Sequence, residues 1–487
     1  MKRFGKAVCL AMVAATALST TACGGGAGGG EDELELIITG GREVVFEFLD
    51  AGFGRNPYIA IANGYMERHP DVQILLQANR EIVNTTAINL SANTGVSDIY
   101  SFPYSSMMKT WISEGWMEDI SDVCAQQTID GRTMLESMTG NAAKAVSYQD
   151  KIYAIPEYSS VTGFVYNQDL FESYGWEIPN TTAELEALCK KIIADTDGKV
   201  APITWCKDAE GYLYFATENW MTQYEGVTNM DRFHEYSGIE SYAVEDNDVG
   251  SIGTAKKLAL ENLVKFFLPI KEGGYAYNES RTISNTDAQC KIIEGSAAMM
   301  LNGSWFENEM QTYLEGMDVE IGLFAIPEIS DAVGTVMRSP TFESKDNKRV
   351  LSADYGAYYF IPSMAPNKED AKDFLLYLSS EEACTLYTQY SNAVRPFIYD
   401  TSENSALYSK VGAFGKSILK MADQFELHAA VSQSELTLKG KVSIWPRGSR
   451  VESEIMAANT SKDPISYLEK DYQFVKSNWA DWQELIK

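Results

Sequence analysis

Histidine and cysteine are scarce in this chain of 487 residues. It has three histidines, His69, His234 and His428, and seven cysteines. No CxxC pair occurs and the histidines stand far apart, so the sequence offers no local zinc site and no local His-based triad. The Asp-rich segments 195–198 and 245–250 lack the spacing of a calcium-binding EF-hand loop, and we expect them to be solvated turns. We therefore expect no metal and no other cofactor.

A disulfide framework is not expected either. Two of the seven cysteines lie in the first 23 residues, and the other five are widely spaced along the rest of the chain. An odd, scattered set of cysteines does not resemble the paired spacings of disulfide-rich secreted domains.

Positive charge is also in short supply. The chain has 40 Lys and Arg residues against 68 Asp and Glu residues, a formal net charge of -28. Residues 1–22 contain three of the basic residues and no acidic one, so the remainder carries -31. Charge of this sign disfavours binding to nucleic acid or to anionic lipid, and we expect no nucleic-acid partner.

The chain has no apolar run long enough to span a bilayer, and its N-terminal run indicates export. A basic start precedes an apolar run over residues 7–18, and small residues then lead to Cys23. A run of about 12 apolar residues between a charged start and small residues is typical of a signal peptide. We predict a signal peptide over residues 1–22, a lipid on Cys23 and a flexible Gly-rich tether over residues 23–33. The protein would then be anchored to the outer face of the cell membrane; the alternative is a secreted protein with an ordinary cleavage site.

The rest of the chain alternates short apolar runs with amphipathic helical patterns. Residues 44–49 and 72–76 predict strands on either side of a helix over residues 58–68. A capping box at residues 181–184 begins another helix, and residues 297–301 read as a buried strand. This order predicts an α/β fold with open, largely parallel sheets.

Five blocks of sequence carry a resemblance to a known family. They are the segments 95–99, 148–156, 164–167, 294–305 and 355–378. In this order they resemble the extracellular solute-binding proteins of ABC importers, the maltose-binding-protein-like carbohydrate group. The resemblance implies a type II periplasmic-binding-protein-like fold. Such a fold has two α/β lobes, each an open, mostly parallel sheet flanked by helices, with a ligand cleft between them.

The resemblance also implies a domain division and a function. It places residues 34–157 and 328–385 in one lobe and residues 158–327 and 386–487 in the other. It implies a receptor without enzymatic activity, monomeric, that captures a carbohydrate, expected to be an oligosaccharide. The closed receptor would deliver this carbohydrate to ABC permease subunits in the membrane.

A sugar site needs aromatic plates for the apolar faces of a pyranose and polar groups for its hydroxyls. Trp305 is the first candidate, because it follows a predicted strand and matches the family's sugar-stacking tryptophan. Phe102 and Tyr104 fall where the family has an aromatic platform on the other lobe. Trp205 and Asp208 fall in a region that supplies aromatic contacts. For these aromatic residues the alternative is a place in the hydrophobic core.

Further candidates come from the expected crossing between the lobes near residues 157–160, from the end of the strand over residues 297–301 and from the start of the expected hinge strand near residue 355. Others come from the last segment of the second lobe and from the Gly-rich loop over residues 51–57. They are Glu157, Tyr158, Ser160, Asn302, Asp354, Tyr355, Arg395, Trp445, Arg447, Arg55 and Asn56. Ser160 stands where the maltose-binding protein has an acidic residue, which indicates a different hydroxyl pattern. For Arg55 and Asn56 the alternative is a structural role at the start of a helix.

Two other functions stay open at the level of sequence. A surface glycosidase also combines carboxylate pairs with an aromatic cleft, although no feature singles out a catalytic pair among the 68 acidic residues. A binder of polyamines or another small solute would share the fold, and the acidic balance mildly favours it.

Overall fold

The computed structural model describes residues 34–103, 105–235, 238, 252–330, 349–429 and 451–485. The expectations for the signal peptide and for Cys23 lie outside these residues, as do those for Tyr104, Trp445 and Arg447. Every helix in the described part of the chain is too short or too polar to cross a membrane.

The described residues form strands and helices in alternation. The strands are β1 (Arg42–Phe48), β2 (Val72–Ala78), β3 (Ile99–Phe102), β4 (Ser147–Tyr148), β5 (Lys151–Ile152), β6 (Ala154–Ser160), β7 (Thr162–Asn167), β8 (Ala201–Thr204), β9 (Ala297–Gly303), β10 (Ile321–Phe324), β11 (Arg349–Phe360) and β12 (Phe425–Ala429). The helices are α1 (Asn56–Arg68), α2 (Ile82–Ala92), α3 (Ser105–Ser113), α4 (Ser121–Cys124), α5 (Met134–Ser137), α6 (Ala142–Val146), α7 (Gln168–Tyr174), α8 (Thr182–Asp195), α9 (Leu213–Glu225), α10 (Val227–His234), α11 (Ile252–Phe267), α12 (Asn285–Ile293), α13 (Phe306–Met317), α14 (Lys368–Leu378), α15 (Glu381–Ser391), α16 (Ala413–Gln424), α17 (Val451–Met456) and α18 (Pro464–Leu485).

The capping box predicted at the start of α8 is present. The Thr181 hydroxyl accepts a hydrogen bond from the Glu184 amide, and the Glu184 carboxylate accepts one from the Thr181 amide, each at 3.2 Å. These bonds satisfy two amides that the helix itself leaves without partners. Leu185, Leu188 and Ile192 then face the core, as their spacing predicts.

The first sheet has the strand order β12-β11-β3-β1-β2, and β6 also pairs with β11. β1 runs parallel to β2 and β3, whereas β11 runs antiparallel to β3 and β6. The inward side chains of β1, such as Phe46, pack with Tyr100 and Phe374 in one hydrophobic cluster. This cluster is the core of the first lobe.

The second sheet has the order β10-β7-β9-β8, and antiparallel pairings outnumber parallel ones in it. The expectation of a mostly parallel sheet is therefore corrected for this lobe. β7 begins at the lobe crossing, whereas β9 ends beside it, since Thr162 pairs with Gly303. The two strands must run in opposite directions because one leaves the crossing and the other arrives there.

Two long strand paths join the lobes. One is β6 followed directly by β7, with Val161 between them. The other is β11, which pairs with β12 up to Ala353 and with β6 from Asp354 onward. Tyr387 and Phe397, beyond the predicted boundary at residue 385, also pack in the first cluster.

A buried ion pair holds α9 against α10 in the second lobe. The His234 Nε2 atom lies 2.8 Å from Glu218 Oε1, and the exposed fractions of the two side chains are 1% and 7%. Burial lowers the pKa of His234, but the charge and hydrogen bond of Glu218 together with the charges of Asp231 and Asp354 outweigh it, and the net shift is upward. Burial raises the pKa of Glu218, but the charge and hydrogen bond of His234, the hydrogen bond of Tyr214 and the charge of Lys256 together outweigh it, and the net shift is downward.

This pair predicts a stability difference that depends on pH. His234→Gln should lose about 1.5 kcal/mol of unfolding free energy where both groups are charged. The loss should be largest between pH 4.5 and 6.5, the ordinary pKa values of Glu and His. It should shrink as pH rises through the raised pKa of His234 and as pH falls through the lowered pKa of Glu218. Urea unfolding of both proteins across this range measures it, and a difference that does not vary with pH would contradict the pairing.

Candidate functional site

A cleft with an empty volume of about 690 Å³, open to solvent, lies between the two lobes. It is lined by residues of both lobes and of the crossing strands: Leu49, Ala51, Gly52, Phe53, Tyr58, Ser101, Pro103, Tyr158, Tyr212, Trp305, Glu309 and Ala357. Of the residues predicted from sequence, Trp305 and Tyr158 are in this set.

Trp305 forms a wall of the cleft. It comes directly before α13 in the second lobe, yet its half-buried ring packs against the hydrophobic cluster of the first lobe. A side chain at position 303 would place its Cβ 2.4 Å from the Trp305 ring, so glycine is required there. Tyr212 and Phe215 present their rings edge-on to the indole, at centroid distances of 5.6 and 6.1 Å.

Tyr158 lies where the two lobes meet. Its ring covers Gly356 on β11, and a Cβ at that position would come within 2.1 Å of it. Phe53 of the first lobe packs edge-on against Tyr158, at 4.8 Å and an interplanar angle of 83°. Aromatic rings from the first lobe, the second lobe and the crossing therefore face one cleft.

Burial keeps the hydroxyls of this cleft neutral. It raises the pKa of Tyr158, and together with the charge of Glu309 it raises the pKa of Tyr212 to about 12. Both phenols thus retain their protons at physiological pH and serve as hydrogen-bond donors or acceptors.

Glu157 lies behind the cleft rather than in its lining. Its side chain has an exposed fraction of 0%, and its Oε1 atom accepts hydrogen bonds from Tyr58 at 2.8 Å and from Tyr387 at 2.7 Å. The Ser101 hydroxyl donates to its Oε2 atom. Burial raises the pKa of Glu157, while these three hydroxyls and the charge of Arg395 act in the opposite direction.

Arg395 is buried in the first lobe near Glu157. Its exposed fraction is 1%, and its guanidinium lies 5.0–5.4 Å from the ring centroids of Tyr359, Tyr387 and Phe397. Its Nη2 atom donates to the Leu378 carbonyl at 3.0 Å. These contacts give Arg395 a place in the core.

Phe102 and Trp205 are also in the core. Phe102 is fully buried, and its ring packs against Trp111 at 4.8 Å. Trp205 is 5% exposed, and its indole nitrogen donates to the Phe267 carbonyl at 2.8 Å. Their burial favours the core alternative over ligand contact.

Three polar candidates lie at the surface or at a helix start. Asp208 is exposed and does not line the cleft. Arg55 directly precedes α1 and pairs with Asp50 at 2.9 Å. Asn56 is the first residue of α1, and its side-chain oxygen accepts a bond from the Leu34 amide at 3.4 Å. For Arg55 and Asn56 this favours the helix-start alternative.

The remaining candidates lie near the crossing strands. Asn302 is fully buried, and its side-chain oxygen accepts a hydrogen bond from the Gly303 amide at 2.8 Å. Ser160 is buried and pairs in register with Asp354. The Tyr355 hydroxyl donates to Asn141 at 3.0 Å. None of these four residues is part of the cleft lining.

Sequence reasoning missed several residues that do line the cleft: Phe53, Tyr58, Ser101, Tyr212 and Glu309. Tyr212 had a usable signal, because it is an aromatic residue in the loop after β8, close to the candidates Trp205 and Asp208. Phe53 had one too, because it stands between two glycines in the Gly-rich loop over residues 51–57. Tyr58, Ser101 and Glu309 had none, since each follows an apolar or helical pattern that a core residue would also fit.

A family model agrees with this architecture. The model described as bacterial extracellular solute-binding protein matches residues 55–383 of the chain. This match covers more than half of the 487 residues and includes most of the first lobe and the crossing strands.

Curated relatives are similar at low identity. The multiple sugar-binding protein of Streptococcus mutans is 22% identical over 227 residues, which are 46% of this chain and 48% of that protein. The maltotriose-binding protein of Pyrococcus abyssi is 22% identical over 246 residues, which are 50% of this chain and 46% of that protein. The match thus spans about half the length of each curated relative.

Solved structures share the fold. The apo form of RafE from Streptococcus pneumoniae has a TM-score of 0.63 at 15% identity, with 89% of this chain and 98% of that one covered. The GacH receptor of Streptomyces glaucescens has a TM-score of 0.58 at 15% identity, with 92% and 98% covered. The expected two-lobe α/β fold is confirmed.

Proposed function

The chain belongs to the bacterial extracellular solute-binding protein family, and from this premise we propose that it captures a carbohydrate between its two lobes. The closed receptor then delivers this carbohydrate to the membrane permease of an ABC importer. The observation that carries the proposal is the cleft between the lobes, lined by Trp305, Tyr158, Tyr212 and Phe53.

The chemistry of the cleft fits a pyranose. Aromatic rings provide apolar surface for the C–H faces of a sugar, and the rings of Trp305, Tyr158 and Phe53 line one open cleft. Tyr58, Ser101 and Glu309 add hydroxyl and carboxylate groups that bond to sugar hydroxyls.

The names of similar proteins point in the same direction. The curated relatives bind multiple sugars and maltotriose by name, RafE is known in complex with raffinose, and GacH in complex with acarbose. These ligands are those of the similar proteins. They support the proposal that the ligand of this chain is a carbohydrate.

A thermal-shift screen tests the proposal. Wild-type protein would be heated with raffinose, maltotriose, D-galactose and, as the alternative class, spermidine and putrescine. A ligand that binds the native state raises apparent stability as RT ln(1 + [L]/Kd), so a sugar should raise the midpoint and the amines should not. A shift with the amines alone would overturn the carbohydrate assignment.

Chromatography of labelled oligosaccharide after incubation distinguishes a receptor from a glycosidase. A receptor returns the oligosaccharide intact, whereas a glycosidase releases shorter products.

Closure of the lobes is expected when the carbohydrate binds. We expect this motion because only a small number of chain segments cross between the lobes. The hinge near Val161 and Asp354 therefore has few covalent constraints. Small-angle scattering should show a smaller radius of gyration with saturating sugar than without it. An unchanged radius at saturation would contradict hinge closure.

The anchor and the partners belong to the same proposal. We propose that Cys23 carries a lipid that holds the monomeric receptor at the outer face of the cell membrane, next to its permease. The support is the sequence pattern over residues 1–33 together with a family described as extracellular. Replacement of Cys23 with Ser should release the receptor from the membrane fraction and leave sugar affinity unchanged.

A further inference from the structure

The hydroxyl groups of two residues in the cleft lining donate hydrogen bonds to a carboxylate that lies behind the cleft. Tyr58 and Ser101 both line the cleft, and both donate to the buried carboxylate of Glu157. Tyr387 donates to the same carboxylate but is not part of the lining among the described residues. The carboxylate is thus shared between the hydroxyls of two residues that line the cleft and the hydroxyl of one that does not.

A hydroxyl group has one proton and two lone pairs. Because the protons of Tyr58 and Ser101 are engaged by Glu157, these two oxygens have only lone pairs left for a ligand that reaches them. Glu157 as a carboxylate accepts hydrogen bonds and cannot donate one. The direction of both hydrogen bonds is therefore set by Glu157.

We propose that Glu157 is a positioning residue that makes this part of the cleft an acceptor surface, selective for ligands that place a hydroxyl donor there. The inference rests on the proposed carbohydrate function and deepens it. A sugar that presents a free hydroxyl to Tyr58 and Ser101 forms a hydrogen bond. A sugar that carries an ether oxygen or fluorine at that position cannot donate and is rejected.

Arg395 supports this arrangement from the core. Its buried guanidinium, stacked among aromatic rings, provides the positive charge that accompanies the Glu157 carboxylate in the first lobe. The acceptor surface thus depends on a network that links α1, β3, β6, α15 and the segment after α15.

Monodeoxyfluoro sugars test the inference. Raffinose, maltotriose, D-galactose and D-glucose would first be titrated into the wild-type protein, and the monodeoxyfluoro series of each sugar that binds would follow in competition. The readout is the ratio of the Kd of each fluoro sugar to that of its parent. At one position this ratio should be about 10, because fluorine removes the donor that meets Tyr58 and Ser101.

Glu157→Gln should abolish this penalty. The amide nitrogen must replace one carboxylate oxygen, so it faces either Tyr58 or Ser101. In both placements one cleft hydroxyl accepts from the amide, and its own proton is free to point at the ligand. The ratio should then fall to about 1–2, whatever the change in parent affinity.

Tyr387→Phe is the matched control, because it removes a donor to the same carboxylate without changing the cleft lining. It should keep the ratio near 10, whereas a purely structural role of Glu157 would make both variants behave alike. If Glu157→Gln does not fold, Ser101→Ala and Tyr58→Phe replace it. One of these should remove the penalty while it raises the parent Kd.

The outcomes separate the inference from the proposed function. If the parent sugars bind but no fluorinated position is penalised, or the penalty survives in Glu157→Gln or in both replacement variants, the inference is overturned and the carbohydrate function stands. If none of the parent sugars binds, the proposed function fails and the inference fails with it.

Discussion

Trp305→Ala is expected to weaken carbohydrate binding about thirtyfold while it lowers the free energy of unfolding by only about 1 kcal/mol. The Trp305 ring is half-buried and forms a wall of the cleft, where Tyr212 and Phe215 hold it edge-on. Stacking a pyranose on this ring buries apolar surface at roughly 25 cal/mol per Å², so its loss costs about 2 kcal/mol of binding. Titration calorimetry and urea unfolding of the same variant measure the two effects.

Trp205→Ala is the matched control for this prediction. Trp205 is a core tryptophan of the same lobe, and its indole nitrogen bonds to the Phe267 carbonyl. Its truncation should remove about 3–5 kcal/mol of stability and leave the affinity of the folded molecules near normal. If Trp305→Ala shows this second pattern, Trp305 is a core residue and the cleft loses its main sugar-stacking surface.

The strands, the helix starts and the position of Trp305 were accessible from sequence for local reasons. The capping box at Thr181 and Glu184 uses residues three apart, and the Gly303–Trp305 sequence places a large ring directly after a buried strand. Such features depend on neighbours in the chain. For that reason their positions agree with the structure.

For a side chain in a central strand, the sequence could not show whether it faces the core or the cleft. Phe102 ends β3, and β3 lies between β1 and β11 with both faces covered. An apolar residue at the end of such a strand has the same pattern whether it faces the core or the cleft. The choice depends on β11, which lies some 250 residues later in the chain.

The burial of Glu157 could not be predicted from sequence for a related reason. A carboxylate is buried when distant partners satisfy it. Here the partners come from positions 58, 101 and 387, and the compensating charge comes from position 395. No spacing within the sequence of β6 indicates these contacts, so a buried acid and a ligand-binding acid look identical there.

Arg395→Met is expected to lower the free energy of unfolding by about 1–3 kcal/mol at pH 7.5, because it removes a positive charge that favours the ionised form of the buried Glu157 carboxyl. Methionine keeps most of the volume between the rings of Tyr359, Tyr387 and Phe397 but also loses the hydrogen bond to the Leu378 carbonyl, so a double variant is needed to isolate the effect of the charge. Urea unfolding of wild-type and variant protein measures it.

The same variant should regain stability relative to wild type as pH falls. Burial already raises the pKa of Glu157, and removal of Arg395 raises it further. An acid with a raised native pKa favours the folded state below its unfolded pKa, and this contribution is lost as pH rises through the native pKa. The deficit of Arg395→Met should therefore be smaller at pH 5 than at pH 7.5.

The double variant Glu157→Gln/Arg395→Met removes both charges, so it should recover much of the lost stability and lose this pH dependence. A double variant as unstable as Arg395→Met at both pH values would show that packing of the guanidinium, rather than its charge, stabilises the first lobe.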